Sequence, residues 1–423
     1  MPTKRLLFVA FHVPPFQGST GVTRTLSFAK YLREYDWEVT LLTATASAYS
    51  EVRRENLAQI PSHVRVMRAL ALDAQRHFSL FGRYPLWLGS PDRWRTWYWP
   101  AIWRGMALIK RWRPNAIMST YPIATAQQIG FALAKSSGLP WIADLRDPMA
   151  QIDYPVDPRI HAAFESIERA IFSRAARVIV TTSGTANLYA ERFPSYERER
   201  IILIPNGYDA ELFPTKTSAI SRMPDPGLPL KLLHSGLLYP VERDPTAFFQ
   251  AVSELQKEGK LTPRHAQFIF RAPGNETSYV TQLQALGIAE LVQLLPAVPY
   301  REALAEMNSA DAFMLFQASN CNDQIPAKLY EYLYVQKPIL GLTDPRGETA
   351  RLMTQVGAKQ IANLHDKESI KRALPSFLEK VRMGDVPTPP IDRIAQFSRR
   401  NLTGELARLL DTVVSEQAIA NKM

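Results

Sequence analysis

Asp323, Lys328 and Glu331 lie in the run Asp323-Gln324-Ile325-Pro326-Ala327-Lys328-Leu329-Tyr330-Glu331, which leads to the apolar Lys337-Pro338-Ile339-Leu340. The spacing puts an acid, a cation and a second acid around the start of one helix, directly before a strand. Helix N-termini at the carboxyl ends of strands in α/β sheets favour anionic ligands. Lys328 and the helix amides would hold a diphosphate, and Glu331 would accept hydrogen bonds from ribose hydroxyls, the grip a nucleotide-sugar needs. The competing reading is an amphipathic helix in which Lys328 and Glu331 form a surface pair at i, i+3, worth a few tenths of a kcal/mol.

Other segments offer related chemistry. Pro14-Pro15-Phe16-Gln17-Gly18-Ser19-Thr20-Gly21 follows a first apolar run and opens a helix with Arg24 in its first turn. Gly18 and Gly21 would let backbone amides approach an anion. The segment is not G-x-G-x-x-G, so a dehydrogenase reading is weak. Asp144-Leu145-Arg146-Asp147-Pro148 ends another strand with three charges in four residues, either a structural ion pair or a binding site. Asn206-Gly207 reads as a turn between domains. His234-Ser235-Gly236, with Arg243 following and Arg271 and Gly274 ending the next strand, again joins a glycine turn to cations. His12 and His234 occupy corresponding strand ends, as site residues or as satisfied core residues. No zinc, Walker or G-x-S-x-G motif occurs, and no His/Cys/acid cluster has metal-ligand spacing.

Six of the eight tryptophans, Trp87, Trp94, Trp97, Trp99, Trp103 and Trp112, are interleaved with Arg83, Arg93, Arg95, Arg104, Lys110, Arg111 and Arg113. Rings that prefer an interface beside cations that seek head groups point to an anionic membrane surface, with Trp97 and Trp99 as test positions. Core packing and stacking on single-stranded nucleic acid are the competing readings. No nucleic-acid module accompanies the stretch, so no nucleic-acid partner is expected.

Elements that could position these residues recur throughout. β-rich runs alternate with helical patterns, which predicts parallel sheets. A first series of strands is expected at Leu6–Phe11, Val39–Thr43, Val64–Ala69, Ala116–Thr120, Trp141–Asp144, Val178–Thr182 and Ile201–Ile204. A second is expected at Lys231–His234, Gln267–Arg271, Val292–Leu295, Ala312–Phe316 and Pro338–Leu342. The expected organisation is a domain over 1–213, a Pro/Ser-rich linker over 214–229, a domain over 230–394, and a last amphipathic helix within 395–423 that packs back on the first domain. At 423 residues two domains are the default. No run is long and apolar enough for a membrane span, and the N-terminal apolar run reads as a buried strand and not a signal peptide. One cysteine, Cys321, excludes an intrachain disulfide and suits the cytosol. A net charge of +10 by itself leaves anionic lipids, nucleic acid and phosphorylated substrates open as partners.

Taken in order, the glycine turn, Asp144–Pro148, Asn206–Asp209, His234–Gly236 and Ile325–Leu340 resemble family-four glycosyltransferases of the GT-B fold. The resemblance runs from Leu6 to about Arg400. It implies an α/β GT-B protein with two Rossmann-like doubly wound domains facing a central cleft. It also implies retaining, metal-independent transfer, as by a hexosyltransferase, from a nucleotide-sugar to a glycan or lipid-linked acceptor in bacterial polysaccharide or glycoconjugate synthesis. No cofactor is implied, and the expected location is cytoplasmic, peripheral at the inner face of the plasma membrane. Glu331 matches the glutamate that binds ribose, and Asp323 stands near the place of a glutamate close to the donor sugar. Arg243, Lys328, Gly236, Arg271, Tyr330, Gly18, Gly21 and Arg24 are the remaining donor-side candidates, and Leu295 to Pro299 would frame the base. Asp144 and Asp147 join Asp323 as catalytic candidates, with Arg146 on the acceptor side. Three departures stand out: the shorter Asp323, Leu237 where many members carry arginine, and no histidine between Tyr121 and Gln128. The alternatives are a soluble transferase with a non-lipid acceptor and a catalytically silent subunit that binds nucleotide-sugar or glycan.

Overall fold

A computed structural model describes residues 4–17, 20–81, 83–151, 154–214 and 224–422. The chain forms two compact units, one of residues 1–205 with 399–423, the other of residues 206–398.

The first unit is built on a seven-stranded parallel sheet. Its strands are β1 (Lys4–Val9), β2 (Trp37–Ala44), β3 (Arg65–Ala69), β4 (Ala116–Thr120), β5 (Trp141–Arg146), β6 (Arg177–Val180) and β7 (Ile201–Leu203), in the order β3-β2-β1-β4-β5-β6-β7. Residues alternate between the two faces of a strand, and here each face has its own core. Leu6 and Phe8 pack with Phe28, Leu402, Leu406 and Leu410. Leu7 and Val9 pack with Trp97, Ile129, Leu133 and Trp141. Each such side chain contributes about 1.5–3 kcal/mol on burial. The helix Arg399–Ala420 therefore belongs to the first unit, laying Leu402, Leu406, Leu410 and Val413 against one face of its sheet.

The second unit has six parallel strands: β8 (Leu230–Ser235), β9 (Ala266–Arg271), β10 (Val292–Leu295), β11 (Ala312–Phe316), β12 (Ile339–Leu342) and β13 (Ile361–Ala362). Their order is β10-β9-β8-β11-β12-β13. Leu232, Met314 and Phe316 face one core with Phe248 and Phe270. Leu233, Phe313 and Leu315 face the other with Leu329, Tyr332 and Leu333. β13 falls outside the expected strands, because two residues carry no alternation to read.

In both sheets the order of strands reverses beside the first strand, between β1 and β4 and between β8 and β11. The loops leaving those neighbouring strands diverge to opposite faces and open a crevice at the carboxyl ends, where α/β proteins place ligands.

Candidate functional site

In the second unit, the loops that leave β8 and β11 flank this reversal. His234 is fully buried on β8, with Nδ1 3.0 Å from the Met314 carbonyl oxygen. Its Nε2 lies 3.1 Å from the Lys328 ammonium, which comes from the first turn of the Ala327–Val335 helix after β11. Between them the chain turns at Gly236, whose φ of +109° is one that side-chain-bearing residues rarely adopt. A Cβ there would stand 3.1 Å from Lys328 Nζ. The glycine is thus favoured by the backbone, and the Lys328 amine lies close above it. The Ser235 amide donates to the Tyr332 hydroxyl at 2.9 Å, fastening the same turn to the helix.

Arg243 stacks on the Tyr239 ring at 5.1 Å and donates to the Leu237 carbonyl at 3.2 Å, just before the Thr246–Lys257 helix. Burial and the nearby Arg243 charge hold Lys328 well below the ordinary lysine range, with Glu331 opposing. Glu331 follows Lys328 by three residues and is half-buried. It accepts a hydrogen bond from the Tyr300 hydroxyl, at the start of the Tyr300–Met307 helix after β10.

The loop bearing Asp323 is pinned from beneath. The Gln317 amide donates to the Cys321 and Gln324 carbonyls, both at 2.9 Å. Thr349 donates to Gln317 Oε1 and shares the Gln324 carbonyl. The Asn322 side-chain amide reaches Asp344 at 2.9 Å, while the Glu348 backbone amide donates to the Asn322 carbonyl at 2.8 Å. Asp323 projects from this rigid loop. Partial desolvation and the Glu348 charge push its carboxyl above the usual aspartate range, and Arg351 opposes them.

Two donor-side expectations change here. Arg271 forms a bidentate ion pair with Glu306, at 2.6 and 2.8 Å, and donates to the Pro296 carbonyl at 2.8 Å. Its guanidinium props the Leu295–Pro299 loop and is committed to a carboxylate, not offered to a diphosphate. Tyr330 is 1% exposed and packs on Phe397, so it is a core residue. Helical geometry explains the difference: Tyr330 lies about 100° from Glu331 around the helix, toward the sheet.

In the first unit, Arg24 and Asp144 are 1% and 0% exposed and pair bidentately at 3.0 and 3.1 Å. Arg24 also donates to the carbonyls of Ile204 and Pro205, and Asp144 accepts from Thr120. The sequence offers both for ligand chemistry; the structure makes them a buried structural pair, because a charge this deep persists only when matched. Gly21 lies inside the Thr20–Tyr31 helix and faces a depression lined also by His12, Thr120 and Tyr121. Gly18 lies outside the described residues.

Arg146 and Asp147 sit at the carboxyl end of β5, beyond a register shift between Asp144 and Arg146. Arg146 has φ +65° and donates to the Tyr121 carbonyl at 3.2 Å. A left-handed non-glycine residue at a strand end is strain of the kind found in binding sites. Burial raises the Asp147 carboxyl above the usual range, with Arg146 as the main opposing influence. His12 is pushed down to about 4 by burial and by Arg146, and stacks on Phe16 at 4.6 Å. His12, Arg146 and Asp147 form the polar group of this unit.

Trp97 is wholly buried, so it is core and not a membrane residue. Trp99 and Trp103 are 73% and 85% exposed, one turn apart on the Tyr98–Trp112 helix. Arg104, Lys110 and Arg111 on the same helix are exposed too. No helix among the described residues is long and apolar enough to cross a membrane.

Sequence reasoning missed Tyr300, Glu306, Gln317 and Thr349, which act through contacts between distant loops that no local pattern announces. His234 was visible at its strand end, but its partner was not.

Residues 19–207 match the glycosyl transferase 4-like domain. No curated protein sequence matches the chain. Among solved structures, sucrose-phosphate synthase from Thermosynechococcus elongatus is similar over 98% of this chain and 100% of its own, with TM-score 0.69 and 12% identity. HepE from Anabaena, in complex with UDP and glucose, is similar over 97% and 100%, with TM-score 0.67 and 14% identity. WaaG, a glycosyltransferase involved in lipopolysaccharide biosynthesis, is similar over 96% and 99%, with TM-score 0.61 and 11% identity. The shared fold is GT-B, two Rossmann-like units in one chain.

Proposed function

We propose that this GT-B glycosyltransferase, whose residues 19–207 match the glycosyl transferase 4-like domain, binds its nucleotide-sugar in the second unit and transfers the sugar with retention, without a metal, to a lipid-linked glycan acceptor. The observation that carries the reading is the Lys328 ammonium held against the Gly236 turn, with Glu331 one turn along the same helix. A diphosphate at the turn would meet Lys328, Arg243 and the first amides of the Thr246–Lys257 and Ala327–Val335 helices. Its ribose would then reach Glu331, and the Leu295–Pro299 loop propped by Arg271 would frame the base.

Charge builds on the leaving diphosphate as the anomeric carbon becomes oxocarbenium-like. Fixed cations and amides aimed at that charge lower the barrier because they need no reorganisation. Two cations and two helix ends supply this without a divalent ion. The acceptor hydroxyl attacks on the face the diphosphate leaves, and its proton passes to the departing phosphate or to a neighbouring carboxylate. Asp323 would contact the donor sugar, with Asp147 and Arg146 left for the acceptor. The glycan acceptor is supported by the likeness to WaaG, and the UDP-type donor by the likeness to HepE.

The test is a thermal-shift screen with UDP, GDP, ADP and their sugars, followed by turnover assays. A shift with one nucleotide and sugar release or transfer supports the reading. Binding without turnover on any acceptor leaves a silent binding subunit in its place.

Membrane placement rests on Trp99 and Trp103, exposed on the helix that also exposes Arg104, Lys110 and Arg111. Rings at the head-group level and cations toward anionic lipid are the usual pairing. Changing both tryptophans to serine should reduce binding to phosphatidylglycerol-containing vesicles at least fivefold. Unchanged binding removes the membrane from the proposal and leaves a soluble acceptor.

A further inference from the structure

The His234–Lys328 contact spans the reversal of the second sheet, and its chemistry is constrained on both sides. A carbonyl oxygen can only accept, so His234 Nδ1, 3.0 Å from the Met314 oxygen, carries a hydrogen. With the ring neutral, Nε2 is a lone pair, and at 3.1 Å it accepts an N–H from Lys328. Protonating Nε2 as well would set an imidazolium against the Lys328 N–H. The contact therefore holds one hydrogen, and a neutral Lys328 amine can donate it as an ammonium can.

The groups around the pair deepen this constraint. Arg243 approaches from the loop before the Thr246–Lys257 helix. Glu331 lies one turn along the helix of Lys328 and is engaged by Tyr300, and the Tyr332 hydroxyl on that helix is occupied by the Ser235 amide. Among the described residues the hydrogen-bond partner of Lys328 is an imidazole and not a carboxylate. Burial, then the charges of Lys328 and Arg243, hold His234 well below the usual histidine range. The Lys328 nitrogen is thus aimed at the Gly236 turn without a counter-charge in contact with it, so in the free protein its extra proton is held weakly.

We propose that His234 is a positioning residue that aims Lys328 at the donor diphosphate, and that binding of the diphosphate brings one proton from solvent onto the His234–Lys328 pair. The proposal rests on the reading of the second unit as the donor site. The balance is simple: buffer acid gives its proton to the amine of Lys328, which becomes the ammonium paired with phosphate, and departure of the nucleoside diphosphate returns the proton. Affinity then falls with rising pH, up to tenfold per unit, in the range where the free protein lacks the proton and the complex holds it.

Isothermal titration of UDP, GDP and ADP into the full chain tests this, in Tris and in HEPES, from pH 7 to 9. This range lies above that in which a terminal phosphate titrates, about 6. The expected result is a buffer-dependent heat corresponding to uptake of about a quarter of a proton to one, with Kd rising about three- to a hundredfold across the range. His234→Leu should raise Kd and KM at least tenfold and lower kcat with them, since a misplaced Lys328 also fails the leaving diphosphate. His234→Gln, whose amide oxygen can accept from Lys328, should restore most of the affinity. Lys328→Met should abolish the buffer dependence of whatever binding remains. Wild-type heats that do not depend on buffer, with a flat pH profile, overturn the proton uptake without requiring any variant. A folded His234→Leu with unchanged Kd overturns the positioning role. If none of the three nucleotides gives heat with the wild type, the donor-site reading fails first, and the two failures are told apart by that control.

Discussion

Replacing Glu331 by alanine separates binding from folding. In the free protein Glu331 is half-buried, and its partner Tyr300 is 44% exposed. A substitution at such a site should alter stability by no more than about 0.5 kcal/mol. The bound state differs. A ribose offers two hydroxyls, and a hydrogen bond to an ionised acceptor contributes about 1.5–3 kcal/mol. Two of them give about 3–6 kcal/mol, offset only slightly by displacing the exposed Tyr300 hydroxyl, at about 0.5 kcal/mol. The net loss of about 2.5–5.5 kcal/mol corresponds to a Kd raised roughly 60- to 8,000-fold, at about 1.4 kcal/mol per tenfold. UDP at about 100 times its wild-type Kd stabilises the wild type by about 2.7 kcal/mol, and a variant weakened a hundredfold by only about 0.4 kcal/mol. Differential scanning fluorimetry should show the variant melting with the wild type when free, and losing most of the UDP-induced rise. Tyr300→Phe removes the internal competitor, so its affinity should equal or slightly exceed that of the wild type. A folded Glu331→Ala protein with an undiminished UDP shift refutes the ribose role.

Gly236→Ala should lower stability by about 1–3 kcal/mol through its φ of +109°, and should weaken UDP binding more than tenfold because the new Cβ meets Lys328; calorimetry on one sample reads both. Asp144→Ala should destabilise the first unit by about 3–5 kcal/mol, since Arg24 would stay buried without its counter-charge. Urea denaturation gives the value, and a folded variant of normal stability that has lost turnover would restore Asp144 as a catalytic group. For His12, the folded pKa of about 4 lies below that of the unfolded chain, about 6.5. The unfolded state therefore takes up the proton first as pH falls. This contribution to stability is whole above about 6.5 and declines toward pH 4, by at most about 3 kcal/mol. His12→Gln should flatten that part of the acid limb in a pH series of urea melts.

The two parallel sheets were legible because strands buried on both faces leave unbroken apolar runs, as at Ala312–Phe316, and helices between them keep a separate period. The strand ends were legible for the same reason, and with them the positions of Lys328, Glu331, Gly236 and Arg243. What a side chain does there was not. Arg24, Asp144 and Arg271 have the chemistry of ligand groups, yet each meets an opposite charge from a segment far along the chain, Arg24 with Asp144 and Arg271 with Glu306. Trp97 and Trp99 are two residues apart, but one is core and the other exposed, since the short turn at Arg95–Trp97 points its last ring inward before the longer helix begins. Local sequence constrains where a backbone runs. Long-range pairing then decides which polar groups remain for a ligand.

The return of the Arg399–Ala420 helix makes the second unit an insertion within the first. Its two ends are tied to each other, the Tyr208 amide donating to the Phe397 carbonyl at 3.2 Å, so residues 206–398 form a closed excursion of the chain. During synthesis this unit has all its strands before Leu402, Leu406, Leu410 and Val413 exist to cover the first sheet. The first unit to begin is therefore the last to be completed, and until then one face of its sheet is covered by Val22, Leu26 and Phe28 but not by the last helix. Shortening the chain before Leu402 should expose that face and favour aggregation, while residues 206–398 alone carry both of their own cores.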